Sequence, residues 1–246
     1  MRFSQSVEGS KEMFLAILGH DLRTPLNAIL ASARLIIDIP ENADLRADLS
    51  ARIVRSARRM NQMVGDLLDF TRTRLGSGIP VTRDSTDMGE LINEVVKELE
   101  VSRSERTVQV DLQVAEARGE WDSARIGQVL TNMIGNALDH GMAGNPVHVI
   151  IGGDEQEIRI TIHNRGPAIP PERLKRIFHP MKSGEVKAGN RAAGQHGSLG
   201  LGLFIANEII VAHHGRIEVQ SSDADGTTFT IHLPRSSASV AHRPAH

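Results

Sequence analysis

Two long apolar stripes near the start of the chain constrain its fold most. Between Lys11 and Ile37, Leu15, Leu18, Leu22, Leu26, Ile29, Ala33 and Ile36 recur every three or four positions, the spacing of one face of a long helix. "DIPENAD" then breaks the pattern at Pro40 and Asn42. A second helix carries a heptad seam of Leu49, Ile53, Ser56, Met60, Met63, Leu67 and Phe70, with Arg52, Arg55, Arg58, Arg59 and Asp66 off it. The short connection makes the pair an antiparallel hairpin. A hairpin this thin cannot bury both stripes by itself, so two copies joined as a four-helix bundle, a homodimer, are expected.

"RLGSGIPVTRDST" ends the helical pattern with Gly76, Gly78 and Pro80. Beyond it the period changes. Helices are expected over "MGELINEVVKELEV", "DSARIGQVLTNMIGNALDHG" and "GLFIANEIIVAHH". Strands are expected over "TVQVDLQV", "VHVIIGG", "EIRITIHN", "RIEVQSS" and "TTFTIHLP". Interleaved in this order they predict a helical layer on a mixed sheet. The expected class is α+β: a helical hairpin over residues 1–76, an α/β sandwich over 77–235, and a disordered tail over 236–246.

Composition excludes several functions. The net charge of -2 and the lack of a long basic block give no reason for nucleic-acid binding. There is no cysteine, so no disulfide framework. The most apolar late stretch, "GLFIANEIIVA", is interrupted by Asn207 and Glu208, and "MRFSQSVEGSK" is no signal peptide. No membrane insertion and a cytoplasmic location are therefore expected. Aromatics are only 3%, so the core must rest on aliphatic residues and Met.

"LGHDLRTPLNAI" on the first helix raises the chemical question. At ~100° per residue, His20 points roughly 160° away from the apolar stripe, and Thr24 follows one turn later. A solvent-facing histidine is most simply a surface residue. Against that, the neighbouring Asp21 can orient an imidazole and raise its basicity, and Pro25 must remove a backbone hydrogen bond from the helix.

"FLAILGHDLRTPLNAI" resembles the H box of bacterial sensor histidine kinases, F-x-x-x-x-S-H-E/D-L-R-T-P-L, and falls on the kind of hairpin where that family carries it. The resemblance implies that His20 is the phosphorylated residue, that Asp21 polarises its ring, and that Thr24 positions water for the reverse, phosphatase reaction. The other family boxes follow in order. "RIGQVLTNMIGNALDHG" resembles the N box, implying Asn132 and Asn136 at an ATP site, with Asn136 giving an oxygen to Mg²⁺. "IHNRGPAIP" resembles the first glycine box, with Asn164, Gly166 and Ile169; "RIFHPM" resembles the F box, with Phe178. "GSLGLGL" resembles the second glycine box, implying Gly197, Leu199, Gly200, Leu201 and Gly202 near phosphate, and Thr228 is carried over from the last strand. "KSGEVKAGNRAAGQHGS" fits the ATP lid of that fold, the Bergerat sandwich shared with gyrase, heat-shock chaperone and mismatch-repair ATPases.

The chain departs from the family at three places. Asn164 stands where the adenine-reading aspartate is usual, Ala168 replaces the second glycine of its box, and Asp139 stands where the N box commonly has Lys. The resemblance implies a kinase core that phosphorylates itself from ATP and Mg²⁺ and passes the group to a response-regulator receiver domain. The departures motivate a competing expectation, a degenerate module that sequesters a partner kinase or regulator. A stand-alone ATPase of the same nucleotide fold is a third, which has no use for the H box. No sensor region is expected within the chain, and neither the signal nor the regulator can be read from it.

Overall fold

The computed structural model describes residues 2–38, 42–103, 106–180 and 200–236. The chain divides into two compact units: among the described residues one is helical, up to Thr71, together with Gly200 and Leu201, and the other, from Arg72, bears the sheet.

The helical unit is made by α1 (Arg2–Asp38) and α2 (Ala43–Arg74), the expected hairpin. α1 continues through Pro25, which is buried. Asn42 accepts from the amide of Leu45 at 3.0 Å and so starts α2. Leu49, Met63 and Phe70 of the expected seam are buried on α2, while Ile53, Ser56, Met60 and Leu67 are half-buried. Asp66, placed off the seam by its heptad position, is buried, and its carboxylate accepts from Gln62 at 2.8 Å. An acid is tolerated in that place because a donor one turn away satisfies it. Of the α1 stripe, Leu26 is 43% exposed and Leu22, Ile29, Ala33 and Ile36 are half-buried, while Leu30 and Ile37, outside the stripe, are 49% and 76% exposed.

The sheet unit begins with β1 (Asp84–Asp87) and α3 (Met88–Ser102), followed by β2 (Val108–Leu112), β3 (Arg118–Trp121) and α4 (Ser123–His140). Then come β4 (Val147–Gly153), β5 (Glu157–Asn164), the single turn α5 (Pro171–Leu174), α6 (Gly202–Ala212), β6 (Arg216–Ser222) and β7 (Gly226–Pro234). Five strands form a mixed sheet in the order β2-β4-β5-β7-β6, with β2 and β4 parallel and the other pairs antiparallel. β1 and β3 make a separate antiparallel ribbon that has no counterpart in the sequence expectations.

Alternation puts Val149, Ile151, Ile158, Ile160, Ile162, Ile231 and Leu233 on one face of the sheet, all under one-twentieth exposed. Helix positions Ile92, Ile126, Leu130, Met133, Ile134, Ile205 and Ile209 are equally buried. This aliphatic layer is the core that the low aromatic content requires. Trp121 is fully buried, and its indole donates to the Pro234 carbonyl at 2.8 Å. Aspartates start two helices: Asp87 accepts from the amides of Gly89 and Glu90, and Asp122 from that of Arg125. Behind α4, His213 accepts from the Asp122 amide at 3.0 Å and donates to the Ile209 carbonyl at 2.8 Å. Burial holds its imidazole below the ordinary 6.5. Arg235 closes the unit by donating to the carbonyls of Asp154, Arg118 and Glu116.

Candidate functional site

In the helical unit, α1 carries His20, whose side chain lies outside what is described, and Thr24, which is exposed. Asp21 does not share that exposed face. It is buried, at 6% exposure, and lies about 60° around the helix from Thr24 at ~100° per residue. An acid that is held in this way has its direction fixed by its surroundings rather than by solvent.

In the sheet unit, Asn132, Asn136, Asn164 and Gly202 lie along or against the C-terminal half of α4. Asn132 and Asn136 lie one turn apart, both half-buried. Asn132 donates to the Gly202 carbonyl at 3.3 Å, which sets this side of α4 against the first residue of α6. A helix N-terminus presents unpaired amides and a positive dipole end, suited to a phosphate. Gly202 lies close against Asn132, since a Cβ there would meet its amide group at 3.4 Å. Just before it, Gly200 takes φ +65°, a left-handed turn that glycine adopts without strain. Leu201, between them, is fully buried. Gly197, Leu199 and the expected lid lie outside the described residues.

Beside the C-terminal cap of α4, Asn164 closes β5 and is 5% exposed. Three glycines let backbone pack directly around it. A Cβ on Gly141 would lie 2.7 Å from the Ala137 carbonyl oxygen, and one on Gly166 2.6 Å from that of His140. One on Gly226 would lie 2.3 Å from the backbone carbonyl oxygen of Asn164. The loop that follows is tied to the β6–β7 hairpin, the amide of Ala168 donating to Asp223 at 3.2 Å and that of Ile169 to Ser221 at 2.9 Å. Phe178 meets Phe229 edge to face, with ring centres 6.4 Å apart.

Thr228 does not belong to this site. Residues paired across a sheet share a face, and β5 pairs Asn164 with Thr227 and His163 with Thr228. Thr228 therefore lies on the reverse face, hydrogen-bonded to His163 at 3.0 Å. Burial and then the charges of His148 and Arg165 hold that imidazole below 6.5, against the pull of Asp225. Thr227 has the place on Asn164's face and shares a 2.7 Å hydrogen bond with Ser221. The one-residue slip follows from the period of two, because "GTTFT" offers two adjacent threonines and only strand pairing decides between them.

Two of the three departures have structural accommodations. Among the described residues His214 is the single non-glycine with a positive φ, so Ala168 imposes no left-handed strain. Asp139 is held by Arg103 from the end of α3, Nε to Oδ1 at 3.0 Å and Nη2 to Oδ2 at 3.3 Å.

The arrangement offers a buried amide acceptor at Asn164 and hard oxygen donors at Asn136 and Asn132, about one and two turns back along α4 from its C-terminal cap. Amide oxygens suit Mg²⁺, which takes few protein ligands and keeps phosphate and water oxygens around it.

Residues 10–76 match the family model of the His Kinase A (phospho-acceptor) domain, and residues 121–237 that of the Histidine kinase-, DNA gyrase B-, and HSP90-like ATPase. The chain is 31% identical over 235 residues to a bacteriophytochrome of Pseudomonas aeruginosa, covering 95% of this chain and 31% of that protein. It is 31% identical over 230 residues to the probable sensor histidine kinase TcrY of Mycobacterium tuberculosis, covering 94% of this chain and 47% of that protein. The chain thus spans about a third to a half of the length of these relatives. In fold it is similar to histidine kinase ThkA solved in complex with response regulator protein TrrA, at a TM-score of 0.60 and 22% identity over 95% of this chain and 64% of that one.

Proposed function

The chain belongs to the two-component sensor histidine kinases, and from that premise we propose that it transfers the γ-phosphoryl group of ATP to His20 and then to an aspartate of a response-regulator receiver domain. One observation carries the reading: an H box on a helical hairpin and a separate nucleotide-type site, with Asn132, Asn136 and a glycine-cradled Asn164, occur on one chain in family order. The solved complex of ThkA with TrrA supports a receiver domain as the partner.

In the first step an imidazole nitrogen of His20 attacks the γ-phosphorus, the bond to the β,γ-bridging oxygen breaks, and ADP leaves. In the second, an aspartate oxygen of the regulator attacks and His20 is regenerated. Asp21 accepts the proton-bearing nitrogen of the ring and so presents the other to phosphorus. Its burial suits that work, because a fixed acceptor in a low-dielectric surrounding orients a ring better than a solvated one. Thr24, exposed one turn later, positions water when the regulator is dephosphorylated. Asn164 accepts from the adenine amino group through its amide oxygen. Asn136 would hold Mg²⁺, which neutralises charge on the phosphates when bound. The remaining contribution is positioning.

The open leucines of α1 support a homodimer through the hairpin. Among the described residues no helix is long and apolar enough to cross a membrane, and we propose a cytoplasmic site of action.

The test is incubation with γ-labelled ATP and Mg²⁺. Label that is acid-labile and alkali-stable marks phosphohistidine; absence of label, or acid-stable label, contradicts the reading.

A further inference from the structure

On the nucleotide-facing side of α4, the polar residues run Asn132, Asn136, Asp139. At ~100° per residue Asp139 lies about 60° around the helix from Asn136 and one turn on. An aspartate one turn on from Asn136 is a poor neighbour for a triphosphate bound there. Like charges repel, and a partly shielded setting screens them less than water does.

Arg103 answers this charge. It follows α3, and its guanidinium grips both oxygens of Asp139, at 3.0 and 3.3 Å. Both side chains are partly shielded, at 22% and 29% exposure. The same guanidinium reaches along α4 to Gly135, where a Cβ would lie 3.6 Å from Nη2. A planar, permanently charged fork thus spans one turn of the helix beside Asn136. The main chain at Arg103 is tied to α3's end, its amide donating to the Glu100 carbonyl at 3.2 Å.

We propose that Arg103 is a positioning residue for the nucleotide's phosphates: from its place at α3's end it cancels the charge of Asp139, so that no lone anion opposes the phosphates on this side of α4. The inference rests on the nucleotide-site reading above and names a residue outside every box that carries that reading. It also explains how an acid is tolerated at position 139, since acid and base form one neutral pair rather than a lone anion.

A purely structural role for the pair, pinning α3 to α4, predicts something different. Loss of packing weakens all ligands alike, whereas loss of charge cancellation weakens them in proportion to their own charge. The experiment is calorimetric titration of wild type, Arg103→Ala, Asp139→Asn and the double variant with adenosine, ADP and ATP in Mg²⁺. Arg103→Ala should lower ATP affinity by roughly three- to tenfold, ADP affinity by less, and adenosine affinity hardly at all. Adding Asp139→Asn to Arg103→Ala should restore most of the ATP affinity, because the stranded anion is then gone. Equal losses for adenosine and ATP, or no rescue in the double variant, would overturn the inference while the nucleotide site stands. Wild type that binds none of the three would overturn the parent reading, and this one with it.

Discussion

The two units solve the burial problem in opposite ways. The sheet unit completes its own core: Ile160, Ile162, Leu130 and Ile209 are fully buried within one chain. The hairpin does not. It buries Asp21, Asp66 and Asp69 while leaving Leu26, Leu30, Leu35 and Leu68 about half exposed. A self-sufficient core suits a part that must hold a nucleotide site to fractions of an ångström. An unfinished core suits a part built to associate, since exposed apolar area is what a second copy can cover. The difference teaches that the apolar pattern of a helix states how much it wants to bury, and that only the completed unit states whether its own chain suffices.

The contrast is sharpest in a pair of substitutions. Leu130→Ala should cost the sheet unit about 2–5 kcal/mol, because a cavity opens in a closed core, read as a lowered denaturation midpoint. Leu68→Asp, at a position 53% exposed, should leave nucleotide binding intact and convert a sedimenting dimer to monomer. Wild type that sediments as a monomer at all concentrations would break the comparison.

A smaller effect comes from pH. His213 joins the start of α4 to the end of α6, and both its ring nitrogens are committed while it is neutral. Its folded value lies below the ordinary 6.5, through burial and the nearby Arg83 and His214, with Asp122 and the Ile209 bond opposing. The unfolded chain therefore takes up the proton first. The stability this group contributes is fully present above pH 6.5 and is lost as pH falls from there toward the folded value. Melting of the sheet unit should weaken below that pH, and His213→Gln should flatten the slope. Some slope will remain, since His163 is displaced in the same direction. An unchanged slope in the variant would remove His213 from the account.

Smaller still is Asn164→Asp. A charged acceptor in a buried hydrogen bond is stronger than a neutral one by about 1 kcal/mol, so ATP should bind up to roughly tenfold tighter. Weaker binding in the aspartate variant would mean that Asn164 does not accept from the base.

Much of this was legible in the chain. Strands such as "EIRITIHN" alternate so cleanly that β5 came out at the expected residues. The H box, N box and first glycine box lie on the elements expected for them. What escaped had physical reasons. β1 "DSTD" and β3 "RGEW" have no apolar alternation, because they form a ladder of main-chain bonds closed by a single tryptophan. Thr227 and Thr228 are indistinguishable within "GTTFT" alone, because strand register is a property of the paired sheet, not of one segment. Asp66 is buried although its heptad position lies off the seam, satisfied by Gln62. Arg103 stands 36 residues from Asp139, in no box, and only the packing of α3 on α4 brings the two together.

The central claim is that one residue of the hairpin receives a phosphoryl group from ATP bound by the other unit. Labelling His20→Gln beside wild type with γ-labelled ATP, while titrating both with an unhydrolysable ATP analogue, tests it most directly. The account predicts acid-labile, alkali-stable label on wild type, none on the variant, and equal analogue affinity for both. Acid-labile label persisting on His20→Gln would contradict it.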